Sequence, residues 1–287
     1  MKILINYADD KYKKTQKFNS WTGKHIAKFD KIYSFGPQDI EPEYQKIHQD
    51  ILSFPRGNGL WLWKAYFIDK VLNLCNEGDY IFYIDSGSFF LRNADILVNS
   101  FRDNEKIWVS DNPTLESCFT KPECFVKMES NSDEIKYTNQ IQGGYLIVVC
   151  CDESKKFIQK WLKHCEDFSL ISPAGNNSLE LQSNVGNGFV AHREDQSILS
   201  ILCKKEGIKP HRDPSQRGFF PETFYNANYA YKVPKHEDDK YKSFVFLHKT
   251  PNVSIIGCLR TIKYMIVCKL NVPRKIRMKK NRVIDGK

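Results

Sequence analysis

Apolar and polar positions along the chain follow two rhythms. Continuous apolar stretches occupy residues 2–7, 80–84 and 144–150, with shorter ones at 31–35, 107–110 and 243–247. Such runs predict strands of a sheet covered on both faces. Between them the spacing turns helical. Trp61, Ala65, Ile68 and Leu72 recur on one helical face and no breaker interrupts residues 61–75. Residues 152–166 read as an amphipathic helix opened by an acid, which suits the positive end of a helix. Residues 41–52, 93–104 and 193–206 predict three more helices, the last stopped by Gly207. Residues 172–188, rich in Gly and Asn, read as a loop near a site. Strands alternating with helices predict an α/β fold with a mainly parallel central sheet flanked by helices.

Composition narrows the class. The 287 residues are 41% hydrophobic and 27% charged, enough to bury one sizeable core. No apolar run approaches the roughly 18 residues of a membrane span. The opening apolar stretch is too short for a signal peptide and turns polar at once. The nine cysteines include no Cys-x-x-Cys pair, and without an export signal they predict reduced thiols in a cytoplasmic setting. On the same ground the glycosylation sequons at residues 176–178 and 252–254 carry little weight. Charge is uneven: residues 254–287 hold ten Lys and Arg against one acid, Asp285, which equals the +9 of the whole chain. The body therefore sums to zero and offers no basic face for nucleic acid. In the tail, Ile255, Ile256, Leu259, Ile262, Ile266 and Leu270 fall on one helical side, with Arg260, Lys263 and Lys269 around it. A basic stretch follows Pro273. That pattern predicts an interfacial anchor on an anionic membrane surface, with a core helix and solvated tail as the alternative.

Five short motifs could carry chemistry. Asp85-Ser86-Gly87 leaves the end of an apolar strand, where ligands of open α/β sheets bind. An ordinary strand-ending turn would use the same residues. The stretch 57–64 runs a Gly-rich turn into a helix with Lys64 in its first turn, a start that suits a diphosphate, although Trp61 and Trp63 also suit a core. Gln142-Gly143-Gly144 precedes a buried strand, and its glycines leave room for a ligand or for a plain bulge. Glu194 and Asp195 open a helix, where one carboxylate could cap while the other points into a cleft. His248 ends a late strand as a metal ligand or a structural histidine.

The order and spacing of these motifs say more together. Gly-Leu-Trp-Leu-Trp-Lys-Ala-Tyr (59–66), Gly-Asp-Tyr-Ile-Phe-Tyr-Ile-Asp-Ser-Gly (78–87), Gln-Gly-Gly-Tyr-Leu-Ile (142–147) and His-Arg-Glu-Asp-Gln-Ser-Ile-Leu-Ser (192–200) stand in this order. The chain thereby resembles GT-A glycosyltransferases found in bacterial surface-polysaccharide clusters and in large DNA viruses of algae, over roughly residues 1–250. The resemblance implies a Rossmann-like GT-A domain at residues 1–250, with a donor half at about 1–150 and an acceptor half at about 151–250. Residues 251–287 form the basic amphipathic tail.

It also implies roles for particular residues. Asn6 and Tyr7 lie near the nucleotide, and Lys64 near the diphosphate or donor sugar. Asp85, followed by Ser86 and Gly87, takes the place of the first acid of an Asp-x-Asp motif. Gln142, Gly143 and Gly144 border the sugar. Asp195, with Glu194 as the alternative, faces the reacting centre. His248 joins Asp85 in holding Mn2+ or Mg2+. The implied activity is transfer of a hexose or pentose from a nucleoside diphosphate sugar, UDP-linked rather than GDP-linked, to a glycan or glycolipid. The location is cytoplasmic, with peripheral attachment to a membrane. A sugar-nucleotide-binding or hydrolysing protein and a basic-tailed interaction protein are the alternatives. The chain departs from the motif at Gly87, where the second acid belongs. A lone Asp85 carboxylate would recruit Asp195 or His248, or bind no metal.

Overall fold

The computed structural model describes residues 1–173, 188–221, 223 and 236–270. In chain order the strands are β1 (Lys2–Tyr7), β2 (Lys31–Phe35), β3 (Tyr80–Ile84), β4 (Ser88–Phe90), β5 (Ile107–Leu115), β6 (Asn139–Val149) and β7 (Val245–Leu247). The longer helices are α1 (Lys13–Thr22), α2 (Leu62–Leu72), α3 (Asp152–Cys165), α4 (Glu194–Lys205) and α5 (Ile255–Leu270).

Side chains alternate across a strand, so a strand buried on both faces feeds two cores. Ile3, Ile5, Ile81, Tyr83, Leu146 and Val148 enter a layer shared with α2, α3 and α4. Leu4, Phe82, Ile84, Tyr145 and Ile147 enter a second layer with Phe90, Trp108, Phe244 and Val245. The continuous apolar runs are thus central strands, as expected of a sheet covered on both sides.

The main sheet has the order β2-β1-β3-β6-β5. β1 pairs in parallel with β2 and β3, while β6 is antiparallel to both β3 and β5. Four of the five strands therefore share one direction and β6 alone is reversed. The sheet is mixed, mostly parallel by direction and flanked by helices. β4 and β7 form a separate antiparallel pair.

Several elements differ from their sequence-based bounds. The helix expected over 93–104 is only Asp95–Val98. The Ser100 hydroxyl donates to the Leu97 carbonyl at 2.7 Å, a local bond that competes with a further turn. The helix over 41–52 divides at His48 into Pro42–Ile47 and Gln49–Leu52. β6 starts five residues earlier than the apolar run at 144, and β5 runs on past Ser110 through Pro113. Proline is tolerated there because β5 is an edge strand with bulged pairing. α1 and β4 had no sequence signal. The expected loop at 172–188 lies, for residues 174–187, outside the described residues.

A buried histidine ties the late chain to β5. The His211 ring is stacked on Trp108 with centroids 4.9 Å apart. Its Nδ1 lies 2.7 Å from Asp239 Oδ1 and its Nε2 2.9 Å from Glu105 Oε2. Both nitrogens face carboxylates, so the imidazolium form satisfies both. Burial opposes that charge, but the bonds to Asp239 and Glu105 outweigh it and raise the pKa. Burial likewise opposes ionisation of Asp239, and its bonds to His211 and Arg212 outweigh that and lower its pKa. His211 contributes its stability fully below about pH 6.5 and loses it as pH rises through the folded pKa. Asp239 contributes above about pH 4 and loses it as pH falls through its own. Thermal melts from about pH 5 to about pH 9 should show an alkaline decline in Tm that flattens in His211→Gln. An unchanged decline in that variant would assign it to other groups.

Candidate active site

β1 and β3 end at one edge of the sheet, and the reversed β6 enters from that edge, since Ile84 pairs with Tyr145. A cleft of about 740 Å³ opens there, beyond the carboxyl ends of the parallel strands. A second groove of about 590 Å³ lies at the opposite end of the sheet, between residues 102–107, 153–160 and 206–209. None of the motif residues lines it.

The cleft wall begins with a backbone of unusual hand. Gly57, Asn58, Gly59, Leu60 and Trp61 all have positive φ, between 52° and 94°. Right-handed conformations are the default for L-residues, so Leu60 and Trp61 are held in strain by their surroundings. The Trp63 indole donates to the Gly57 carbonyl at 2.9 Å, and its ring stacks on Tyr7 with centroids 3.7 Å apart. The Asn58 amide donates to the Tyr7 hydroxyl. The turn thus delivers α2 with Lys64 facing inward rather than toward solvent.

Lys64 is almost completely buried. Its ammonium donates to Asp195 Oδ2 at 2.6 Å and to the Gly143 carbonyl at 2.9 Å. Burial presses Lys64 toward neutrality, but Asp195 and Asp85 outweigh it and its pKa rises. Asp195 is pushed up to about 6 by burial, against the pull of Lys64 and with the repulsion of Asp85. Glu194 faces Arg56, whose Nε lies 2.6 Å from Oε1, and burial pushes it up to about 7. The two adjacent acids at the start of α4 therefore part: Asp195 joins Lys64 and Gly143, and Glu194 joins Arg56 on a neighbouring wall. His192 holds the segment that leads into them. Its Nε2 lies 2.9 Å from the Leu170 carbonyl, and its Nδ1 accepts from the Lys121 backbone at 3.3 Å.

The glycines of β6 are explained by contact. A Cβ on Gly143 would lie 3.1 Å from Gln196 Cβ and 3.3 Å from Asp195 Oδ2. A Cβ on Gly144 would lie 3.1 Å from Asp85 Oδ2. Only a bare backbone lets α4 and Asp85 approach the strand this closely. Asp85 is half-buried and lines the cleft. Its Oδ1 accepts from the Tyr83 hydroxyl at 2.6 Å, and its backbone N–H bonds the Gly144 carbonyl. The Ser86 hydroxyl donates to the Tyr7 carbonyl at 2.6 Å, which fastens the turn to β1.

Tyr7, Lys64, Asp85, Ser86, Gly87, Gly143, Gly144, Glu194 and Asp195 all line this cleft. Three residues expected at the site do not. Asn6 is fully buried beneath the floor, where its amide donates to Asn19 and Ser20 and pins α1 to β1. Gln142 points to the other face of β6 and donates to Asp213 at 2.9 Å, as strand alternation requires. His248 stacks on Phe89, with its Nδ1 3.1 Å from the Thr250 hydroxyl.

The cleft also contains Arg56, which no motif marked, and Asn58, Arg193 and Lys249, which stood within the motifs without a role. Lys249 follows β7 in left-handed conformation, with φ of 56°. Burial in the cleft wall and the like charges of Arg217 and Arg193 push its ammonium down to about 8, against the pull of Asp85 and Asp213. The side chain nevertheless reaches solvent.

A divalent cation needs several oxygen or nitrogen donors converging on one point. The expected ligands do not fit that need. Gly87 supplies no second carboxylate. His248 Nε2 is buried without a partner, yet its ring is turned onto Phe89 and lines no part of the cleft. Among the described residues no three His, Cys, Asp or Glu side chains form a group able to hold a metal. The Lys249 ammonium instead puts positive charge near Asp85.

No family model matches the chain, and no curated protein matches it. Among solved structures, the chain is similar to the apo form of mouse xyloside xylosyltransferase 1. That alignment covers 86% of this chain and 97% of that one, at 8% identity and a TM-score of 0.44. It is also similar to the galactosyltransferase LgtC in complex with donor and acceptor sugar analogs. This second alignment covers 92% of this chain and 95% of that one, at 14% identity and a TM-score of 0.46.

Proposed function

We propose that this chain is a GT-A glycosyltransferase that moves a sugar from a nucleoside diphosphate sugar to a glycan or glycolipid. The observation that carries this reading is the cleft at the strand ends, where Asp85 and the Lys64–Asp195 pair meet the bare backbone of Gly143 and Gly144. Glycosyl transfer builds positive charge at the anomeric carbon, which a fixed carboxylate stabilises. Lys64 holds Asp195 in one orientation, so the charge needs no rearrangement at the moment of reaction. Asp85 offers a second carboxylate to the sugar hydroxyls. The glycines give sugar and backbone room to touch. The Tyr7–Trp63 stack provides an aromatic wall suited to a flat base.

A UDP-linked donor follows from the motifs that carry the family resemblance. Residues 1–250 act as one catalytic domain in this reading, with the donor half at about 1–150 and the acceptor half at about 151–250. Calorimetric titration with UDP, GDP and CMP tests the donor, and incubation with a panel of UDP-sugars and glycan acceptors tests transfer. UDP binding with acceptor-dependent turnover is the expected result. GDP or CMP binding without UDP binding would refute the donor assignment. Donor hydrolysis that no acceptor accelerates would favour a hydrolase, and no nucleotide binding would favour an interaction protein.

The exposed face of α5 supports attachment to a membrane surface in this reading. On α5, Ile255, Ile256, Leu259, Ile262 and Leu270 are exposed, and only Met265 and Cys268 are buried. Arg260, Lys263 and Lys269 lie on the same helix, and the basic residues between 274 and 282 lie outside the described residues. Among the described residues no helix is long and apolar enough to cross a membrane. An exposed apolar helix with basic neighbours suits the surface of an anionic bilayer, where each basic residue contributes about 1 kcal/mol. A glycolipid acceptor would be met there. Deleting residues 273–287 should abolish sedimentation with anionic liposomes and leave turnover of a soluble acceptor intact. Unchanged sedimentation would remove the tail from this role.

A further inference from the structure

The turn that lacks a second acid is also the turn against which Lys249 is packed. A Cβ on Gly87 would lie 3.3 Å from Lys249 Cα and 3.6 Å from its backbone nitrogen. The Gly87 carbonyl accepts both the His248 and the Lys249 backbone N–H groups, each at 2.9 Å. A side chain at 87 would press the Lys249 backbone back by a few tenths of an ångström. The same glycine therefore removes a carboxylate and admits a lysine. Lys249 lines the cleft together with Asp85 and Gly87. Among the described residues no carboxylate lies within 4.0 Å of its ammonium. Arg193 lines the same cleft, with its guanidinium stacked over Phe119 at 4.4 Å. Like charges gathered at a cleft repel one another until an anion enters, and they then hold it strongly.

We propose that Lys249, supported by Arg193, binds the diphosphate of the donor directly and does there what a divalent cation does in an Asp-x-Asp enzyme. This rests on the donor reading given above. In chemical terms, the bond between the anomeric carbon and the diphosphate oxygen breaks, and its electron pair leaves on the diphosphate. The acceptor oxygen forms the new bond and its proton passes to a base. Lys249 and Arg193 stabilise the negative charge on the departing oxygen. No oxidant, reductant or further reactant is required.

The full chain, titrated with UDP and separately with inorganic pyrophosphate in EDTA, tests this. Both probes should bind in EDTA, with UDP affinity changed less than about threefold by manganese. Lys249→Gln should weaken both by about tenfold or more, while uridine binding stays unchanged. Lys249→Arg should keep most of the affinity. Its circular dichroism and that of Lys249→Gln should match the wild type, since the side chain reaches solvent. UDP binding that requires manganese and ignores Lys249→Gln would overturn the cationic clamp while leaving the transferase reading in place. Pyrophosphate binding lost in Lys249→Gln, with no nucleoside diphosphate bound, would uphold the anion site and refute the donor reading. Binding of neither probe would overturn both.

Discussion

The double variant Lys64→Met, Asp195→Leu should fold and transfer no sugar. Each single change leaves a charge buried without its partner, which costs about 3–5 kcal/mol. Lys64→Met strands the Asp195 carboxylate, and Asp195→Leu strands the Lys64 ammonium at the same depth. Removing both charges removes both desolvation penalties, and replacing a buried pair with apolar residues of similar volume is often neutral. The Gly143 carbonyl loses one donor, at about 1–3 kcal/mol, so recovery is incomplete. Turnover should fall by about 10³-fold or more in both singles and in the double, because residues that act as a unit are not additive. Urea denaturation and initial transfer rates read the two effects separately. A stable double variant with near wild-type turnover would make the pair purely architectural.

Asp85→Asn should lower turnover by about 10²–10³-fold and leave the melting temperature within a few degrees. The side chain is half-buried at a strand end, and asparagine keeps an oxygen able to accept the Tyr83 hydroxyl. What is lost is the negative charge facing the cleft. Tyr83→Phe removes only the orienting bond and should cost about tenfold. Full activity in a folded Asp85→Asn protein would end its assignment as the donor-side carboxylate. Equal losses from Tyr83→Phe and Asp85→Asn would mean that orientation matters more than charge.

The same residues show how far the amino-acid order reaches. The runs at 2–7, 80–84 and 144–150 are legible as central strands because burial on both faces removes polar residues from every position. Asp85 is legible because it is the first carboxylate after such a run. α2, α3 and α4 follow from apolar spacing over ten or more residues. α1 was invisible for the opposite reason. Its buried face is Thr15, Gln16, Asn19 and Thr22, and the last three are held by hydrogen bonds to β1, β2 and β4 rather than by apolar contact. Hydrophobic periodicity carries no trace of a polar interface.

By itself the sequence determined which segments are buried, where β1 and β3 end and that Asp85 stands at one of those ends, because each depends on neighbours within a few positions. The tertiary structure decided which charges meet. Lys64 and Asp195 are 131 residues apart, and only the placement of β6 beside β3 brings α2 and α4 to one wall. It also set the direction of β6, turned His248 onto Phe89, and brought the backbone of Lys249 against Gly87. Sheet order and strand direction are settled by how two covered faces pack over the whole chain, a long-range condition that no local spacing records.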